Sequence, residues 1–122
     1  MKKRIIPRPE SIAFFEKTLH DHDKIRSYRK ISSQVYLINR TNGTPIKVYI
    51  TDIYTVGLVD YHSITEKYSD LNAIVTLSNW NGYTKQAKLH AKENLIGIFV
   101  VTEFLGAINF EQIYNYVRRD DE

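Results

Sequence analysis

Apolar side chains recur along this chain with two different spacings, one typical of helices and one typical of strands. Ile12, Phe15 and Leu19 lie at positions i, i+3 and i+7, which predicts an amphipathic helix over 10–22. Runs rich in β-branched and aromatic residues, bounded by turn-forming residues, predict strands instead. The predicted strands are a weak one over 25–31 and stronger ones over 34–39, 46–53, 73–77 and 96–101.

The connections between the strands predict how they pair. The segment 40–45 is rich in turn-forming residues, so the strands on either side of it should form an antiparallel hairpin. The last two strands are continuous apolar runs, a pattern typical of strands covered on both faces. A helix predicted over 84–94 lies between them, and this βαβ arrangement makes the two strands parallel.

Two further helices complete the predicted order. Ser63-Ile64-Thr65-Glu66 has the form of a capping box, which predicts a helix start there, with its apolar face continuing to Leu71. The spacing around Ile113 predicts a closing helix over 110–119. The expected fold is therefore α/β, a mixed central sheet flanked by helices in the order α-β-β-β-α-β-α-β-α.

Composition agrees with one globular domain. The chain has 122 residues, of which 43% are apolar and 25% charged. We expect a basic amino-terminal arm over 1–9, a single α/β domain over 10–119 and an acidic tail over 120–122. The absence of cysteine excludes disulfides, thiolate catalysis and thiol-ligated metals. The first ten residues lack the apolar core of a signal peptide, and the apolar run 95–101 is too short to span a bilayer, so a cytoplasmic location without membrane contact is expected.

Positive charge is concentrated near the amino end. Residues 1–30 hold nine Lys or Arg against four acidic residues, a net +5, whereas 31–122 hold eight against ten, a net −2. Such a distribution is compatible with nucleic acid or another acidic partner, and equally with a solvated surface. The basic candidates for DNA binding are Arg26, Arg29, Lys30, Lys85, Lys88 and Lys92. They form one phosphate-binding surface only if the fold brings the two groups together.

The segment 73–91 resembles a known nuclease family. In Ala73-Ile74-Val75-Thr76-Leu77 an apolar strand carries a Thr near its end, Tyr83-Thr84 is an aromatic-Thr pair that opens a helix, and alanines recur at 87 and 91. This pattern is similar to the Mrr-like branch of the restriction-endonuclease-like PD-(D/E)XK superfamily. The resemblance covers about 10–101, and it places the hairpin where the family has its two catalytic strands. It implies a restriction-endonuclease-like fold.

The same resemblance implies metal-dependent phosphodiester cleavage, which requires carboxylates to hold Mg²⁺ and a lysine near the attacking water. Matched position by position, the metal-binding Asp of the family falls at about Tyr36, the Glu or Gln at Tyr49 and the lysine at Thr51. No Asp or Glu occurs between Lys24 and Thr51. We therefore expect a degenerate motif that holds no metal, and we hypothesise that Tyr36 and Tyr49 pair across the sheet and fill the cleft.

Migration of the acidic ligands to neighbouring elements would rescue a Mg²⁺-dependent endonuclease. The available candidates are Asp52, Asp60, Glu66 and Lys67. The capping box gives Glu66 a structural role, and in a regular strand Asp52 would lie on the opposite pleat from Thr51. Both observations favour an inactive site.

The segment 78–82 is a candidate ligand-binding loop, because it follows a buried strand and precedes a helix. The residues that could contact DNA there are Asn79, Trp80, Asn81 and Thr84. In the alternative interpretation Asn and Gly shape the turn, Thr84 caps the helix and Trp80 plugs the edge of the core.

The histidines give weaker signals. His20-Asp21-His22-Asp23 contains good metal ligands, but on a helix residues two apart do not share a face, so a solvated helix end is expected. His62 and His90 are expected to be isolated, without a proton-transfer role.

The sequence therefore leads to three functional hypotheses. The first is a catalytically inactive restriction-endonuclease-like domain, retained as a DNA-associated or protein-interaction module. The second is an active Mg²⁺-dependent DNA endonuclease with migrated carboxylates. The third is a protein-interaction subunit that never contacts DNA and forms a homodimer or binds a protein partner. Function resides in the site, and the recognisable site is missing, so the fold alone does not choose among them.

Overall fold

A computed structural model describes residues 6–78 and 80–117 as a mixed β-sheet with helices on both faces. The helices of this part of the chain are α1 (Pro9–Asp21), α2 (Leu58–Lys67), α3 (Lys85–Glu93) and α4 (Val101–Ala107). The strands are β1 (Ile25–Ser32), β2 (Val35–Arg40), β3 (Ile46–Thr51), β4 (Thr55–Val56), β5 (Ala73–Thr76), β6 (Gly82–Tyr83) and β7 (Gly97–Val100). A single 3₁₀ turn, Ile113–Asn115, follows α4.

The five longer strands form one sheet in the order β1-β2-β3-β5-β7. The pairs β1–β2 and β2–β3 are antiparallel, and the pairs β3–β5 and β5–β7 are parallel. The predicted hairpin, the weak first strand and the βαβ unit are thus confirmed. Because β3, β5 and β7 are parallel, their carboxyl ends meet at one edge of the sheet, which we call the carboxyl edge.

Two apolar cores lie on opposite faces of this sheet. On one face, Phe15 and Leu19 of α1 and Phe104 of α4 pack against Tyr36 and Ile50. On the other face, α2 and α3 pack against the sheet. The buried residues of this second core include Tyr49, Tyr61, Ile74, Ala87 and Ala91. The small alanine side chains let α3 lie close to the strands.

The short strands β4 and β6 form a second, parallel pair that sequence patterning did not predict. Two residues are too few to show a period of two, so no pattern marks them. The amide of Gly82 donates to the carbonyl of Tyr54 at 2.8 Å, and the amide of Thr84 donates to the carbonyl of Val56 at 3.0 Å. These bonds join the loop after β3 to the loop after β5 at the carboxyl edge.

The predicted capping box at Ser63–Glu66 is wrong, because α2 begins five residues earlier. Asp60 occupies the third position of this helix, and its carboxylate accepts a hydrogen bond from the amide of Gly57 at 2.9 Å. The helix ends at Lys67, before the residues up to Leu71 that were expected to extend it. The true start was missed because Gly57 offers no side-chain cap, so the Ser-x-x-Glu spacing inside the helix gave the stronger signal.

The predicted closing helix over 110–119 is also wrong. Residues 110–112 are not helical and Ile113–Asn115 form only the 3₁₀ turn, while the helix of this region, α4, lies earlier and ends at Ala107. The buried guanidinium of Arg40 donates to the carbonyls of Ile108 at 3.2 Å and Phe110 at 2.6 Å. These carbonyls are the acceptors that a continuing helix would need, so Arg40 holds the chain here in a non-helical path.

Some predictions lie outside the described residues. These are residues 1–5 of the amino-terminal arm, Asn79, the last two residues of the predicted closing helix, and the acidic tail over 120–122. Within the described ranges, none of the helices has the length and apolar character needed to cross a bilayer.

Candidate functional site

Two of the three positions that the resemblance matches to the nuclease motif, Tyr49 and Thr51, belong to a buried, neutral cluster that Gln34 completes. Tyr49 is 3% exposed and Thr51 is fully buried, both on the face covered by α2 and α3. Gln34, the residue before β2, donates from Nε2 to the phenolic oxygen of Tyr49 at 3.0 Å and to the carbonyl of Ile50 at 3.0 Å. Burial raises the pKa of Tyr49, while the hydrogen bonds with Gln34 and Thr51 oppose that rise. The phenol is therefore neutral at pH 7.

This cluster does not fit a Mg²⁺ centre. Mg²⁺ requires near-octahedral oxygen ligands, usually one or two carboxylates and several waters. Gln34, Tyr49 and Thr51 supply no negative charge, and their burial leaves no room for a hydrated ion. In the described part of the chain no group of three or more His, Asp or Glu residues is placed to hold a metal ion.

The hypothesis that Tyr36 pairs with Tyr49 is wrong. In the β2–β3 register Tyr36 lies opposite Val48, and Val35 lies opposite Tyr49. Because side chains alternate along a strand, Tyr36 points to the α1 face and Tyr49 to the other. The hydroxyl of Tyr36 donates to Glu16 of α1 at 2.5 Å. Burial, followed by this hydrogen bond and the charge of Glu16, raises the pKa of Tyr36 well above its ordinary value.

The four migrated candidates do not converge. Asp52 accepts hydrogen bonds from the hydroxyl of Ser78 and from Asn81 Nδ2. Asp60 serves the start of α2, as described above. Glu66 and Lys67 are exposed, and the ammonium of Lys67 lies 5.5 Å from the ring centroid of Tyr68. Of this set, Asp52 is hydrogen-bonded to the loop that follows β5 at the carboxyl edge.

The predicted ligand-binding loop borders a cleft at the carboxyl edge. The cleft has a volume of about 380 Å³. Its lining residues are Ser78, Asn81, Gly82, Tyr83, Val100, Val101, Thr102 and Glu103. Asn81 fixes the loop through Nδ2, which lies 2.9 Å from both Asp52 Oδ1 and Thr76 Oγ1. The position agrees with the rule that open α/β sheets bind ligands beyond the carboxyl ends of their strands.

A buried carboxylate forms the floor of this cleft. Glu103 is 3% exposed, and its two oxygens lie 2.8 and 2.6 Å from the hydroxyl of Tyr83. Glu103 also accepts from the amide of Val100 at 3.1 Å, which fixes the turn from β7 into α4. The sequence analysis did not identify Glu103. The signal for this residue is its position three residues after the last residue of an apolar strand, which is the spacing between the cap of a helix and its third residue.

Two aromatic side chains stand exposed beside the cleft. Trp80 is 86% exposed, so it does not plug the core edge. Tyr54, on the loop that β4–β6 pairing joins to the Trp80 loop, is 69% exposed. Thr84 caps α3, its hydroxyl accepting from the amide of Ala87 at 3.0 Å, which agrees with the alternative interpretation of this residue. Sequence reasoning missed Tyr54, because nothing in the pattern placed its loop beside Trp80.

The two groups of basic residues are not brought together. Arg26, Arg29 and Lys30 lie on β1 at one edge of the sheet, whereas α3 packs against β7 at the other. Four strand spacings separate these edges, a distance of about 19 Å. Lys30 lies 3.7 Å from Glu16, and this pairing partly compensates its charge.

The three lysines of α3 differ in their exposure. Lys85 and Lys92 are exposed, but Lys88 is half-buried. The ammonium of Lys88 donates to the carbonyl of Ile98 and lies 4.7 Å from the ring centroid of Tyr83. A groove of about 470 Å³ runs along this side of α3. It is lined by Tyr83, Lys85, Lys88, Leu89, Lys92, Glu103, Tyr114, Tyr116 and Val117.

The histidines differ from expectation. His20 is exposed at the end of α1, but His22 is only partly exposed: its Nε2 lies 3.0 Å from the carbonyl of Leu105 and its Nδ1 accepts from the amide of Lys24 at 3.1 Å. His62 and His90 are not isolated, since their ring centroids are 5.2 Å apart.

The chain matches no protein-family model, no curated protein and no solved structure.

Proposed function

We propose that this chain is a restriction-endonuclease-like domain that binds nucleic acid without cleaving it. The observation that carries the proposal is the buried, neutral cluster of Gln34, Tyr49 and Thr51, in which Tyr49 and Thr51 stand at the positions that the resemblance matches to the family's Glu or Gln and its lysine. The succession of α1, the β1–β2–β3 meander, α2 and the parallel β5 agrees with the fold that the resemblance implies. A core built around a phenol in place of carboxylates can keep that fold but cannot hold Mg²⁺.

Binding is assigned to the carboxyl edge and the start of α3. Exposed aromatic rings bind unpaired bases by stacking, and nearby lysines contact phosphates. Trp80 and Tyr54 supply the rings, and Lys85 is exposed in the first turn of α3. When a base stacks on a large, exposed Trp, apolar surface of the ring is removed from water, and this favours ligand binding at this position.

The test uses the single tryptophan of the chain. Because Trp80 is the only indole, its intrinsic fluorescence reports directly on this loop. Titration with single-stranded and duplex DNA at low salt should quench and shift this emission, and added salt should reverse the effect. Unchanged emission together with unchanged anisotropy of a labelled DNA would refute the proposal.

A protein-interaction function is the second candidate, favoured by the groove beside α3. Leu89 and Val117 are 54% and 50% exposed there, next to the exposed Lys85 and Lys92. Such a surface suits a partner with apolar and acidic side chains. This function predicts no DNA binding at low salt together with a stable dimer or complex, which sedimentation would detect.

A further inference from the structure

Three rings from α2 and α3 meet where these helices touch. Tyr61 and His62 come from α2, and His90 comes from α3. The ring centroids of His62 and His90 are 5.2 Å apart, and the Tyr61 centroid lies 5.4 and 5.3 Å from them. Tyr61 is buried, His62 is exposed and His90 is partly exposed. The two imidazoles therefore form a surface pair that rests on the phenol ring.

The separation of the imidazoles matches that of two ligands on one tetrahedral ion. A Zn–N bond of about 2.0–2.1 Å puts the ring centroid about 3.2 Å from the ion, and two such centroids at a tetrahedral angle are about 5.2 Å apart. The observed separation is 5.2 Å. The χ2 torsion of histidine is broad, so accessible rings can direct a nitrogen to a common ion without moving either helix.

A carboxylate beside one imidazole is the second observation. Oε1 of Glu93, on the turn of α3 after His90, lies 3.9 Å from His90 Nδ1. In metal sites the ring nitrogen that does not bind the ion usually faces a carboxylate or carbonyl, which fixes the tautomer and the ring orientation. If the Glu93 carboxylate moves within hydrogen-bond distance of Nδ1, Nε2 of His90 is left to bind an ion.

We propose that His62 and His90 bind a divalent transition-metal ion of the zinc class between α2 and α3. Imidazole nitrogen suits Zn²⁺, Cu²⁺ and Ni²⁺, whereas Mg²⁺ prefers oxygen ligands. Since no larger group of His, Asp or Glu ligands surrounds the pair in residues 6–78 and 80–117, water fills the remaining positions. The ion links the two helices that cover the Tyr49 face of the sheet, so metal binding adds to the stability of that layer.

Calorimetric titration of the untagged protein with Zn²⁺ tests the site. The wild type should bind one ion, and His62→Gln and His90→Gln should each lower the affinity at least tenfold. Glu93→Gln should weaken binding by about tenfold, the lower end of the effect of such a carboxylate. His20→Gln, which alters an exposed imidazole at the end of α1, is the matched control and should bind as the wild type does. Mg²⁺ should give no heat from this site.

Thermal unfolding separates loss of the site from loss of the fold. Zn²⁺ should raise the unfolding midpoint of the wild type and of His20→Gln, because an ion that binds the folded state stabilises it. The midpoints of His62→Gln and His90→Gln should not respond to Zn²⁺, while their midpoints without metal stay near that of the wild type. Equal Zn²⁺ affinity in the wild type and His62→Gln, or no binding by the wild type at millimolar Zn²⁺, would overturn the proposal.

Discussion

Gln34 donates a hydrogen bond from Nε2 to the phenolic oxygen of Tyr49 at 3.0 Å, where the start of β2 lies beside the end of β3. Both side chains are buried. Under the resemblance on which the proposed function rests, Tyr49 stands at the position of a metal-binding Glu or Gln. Here an amide and a phenol satisfy each other instead, so the site is closed by packing and hydrogen bonding, and no charge has to be compensated.

Tyr49→Phe should lower the free energy of unfolding. Removing the hydroxyl costs a buried hydrogen bond with Gln34, worth about 1 kcal/mol. Urea unfolding at pH 7 measures the change. Tyr54→Phe, which alters an exposed tyrosine, is the control and should leave stability unchanged. If the two variants were equally stable, the phenol of Tyr49 would have no structural role.

Stability should fall at alkaline pH. Burial raises the pKa of Tyr36, Tyr49 and Tyr61 in the folded protein, and for Tyr36 the hydrogen bond to Glu16 adds to the rise. Because the pKa is raised, the folded protein keeps these protons up to a higher pH than the unfolded chain does. In the unfolded chain the tyrosine pKa is about 10. The stabilisation is therefore complete below that pH and is lost as pH rises above it.

Urea unfolding at pH 8 and at pH 11 measures this loss. Tyr36→Phe should reduce the difference between the two pH values, because one of the linked ionisations is removed. Tyr54→Phe should show the same difference in the free energy of unfolding between pH 8 and pH 11 as the wild type. A pH dependence identical in all three proteins would contradict the assignment of the loss to buried tyrosines.

Asp60→Ala should destabilise the protein, and neither this variant nor the wild type should cleave DNA. Its carboxylate accepts from the amide of Gly57 at the start of α2, and losing this contact with the helix terminus should cost about 1 kcal/mol. Glu66→Ala, at an exposed position, should change neither property. Urea unfolding and a Mg²⁺-dependent cleavage assay are run on the same samples. Loss of cleavage with unchanged stability would instead support an active nuclease with migrated ligands.

Trp80→Ala should weaken DNA binding more than any substitution on β1. A stacked base contributes about 1–3 kcal/mol, so the affinity should fall by about 5- to 150-fold. Arg29→Ala removes an exposed charge on the edge strand β1 and should have a much smaller effect. Anisotropy of labelled single-stranded DNA gives both affinities. A larger effect of Arg29→Ala would move the binding surface to β1.

Local patterns predicted most of the fold, and long-range contacts account for what they missed. The spacing of Ile12, Phe15 and Leu19 identified α1 correctly, because one helix face carries its own signal. The closing helix failed because Arg40, about 70 residues earlier, takes the carbonyls it would have used. The local helix-forming pattern of residues 110–119 carries no information about the position of that guanidinium.

The candidate site shows the same division. The loop around Trp80 was found because a buried strand before a capped helix marks the carboxyl edge. The opposite faces of Tyr36 and Tyr49 depend on the strand register, which the turn alone did not fix. The neighbouring rings of His62 and His90 depend on the contact between α2 and α3, and a single sequence gives no measure of that contact.

The most direct measurement follows the anisotropy of fluorescent DNA, duplex and single-stranded, over time with the purified protein in Mg²⁺, at low and moderate salt. The account predicts a rise that is stable in time, weakens with salt and is unchanged by a chelator of Mg²⁺. A rise followed by decay that the chelator prevents would mean cleavage, and would contradict the structural role given to Gln34, Tyr49 and Thr51. No rise with either DNA would contradict nucleic-acid binding and favour a protein partner.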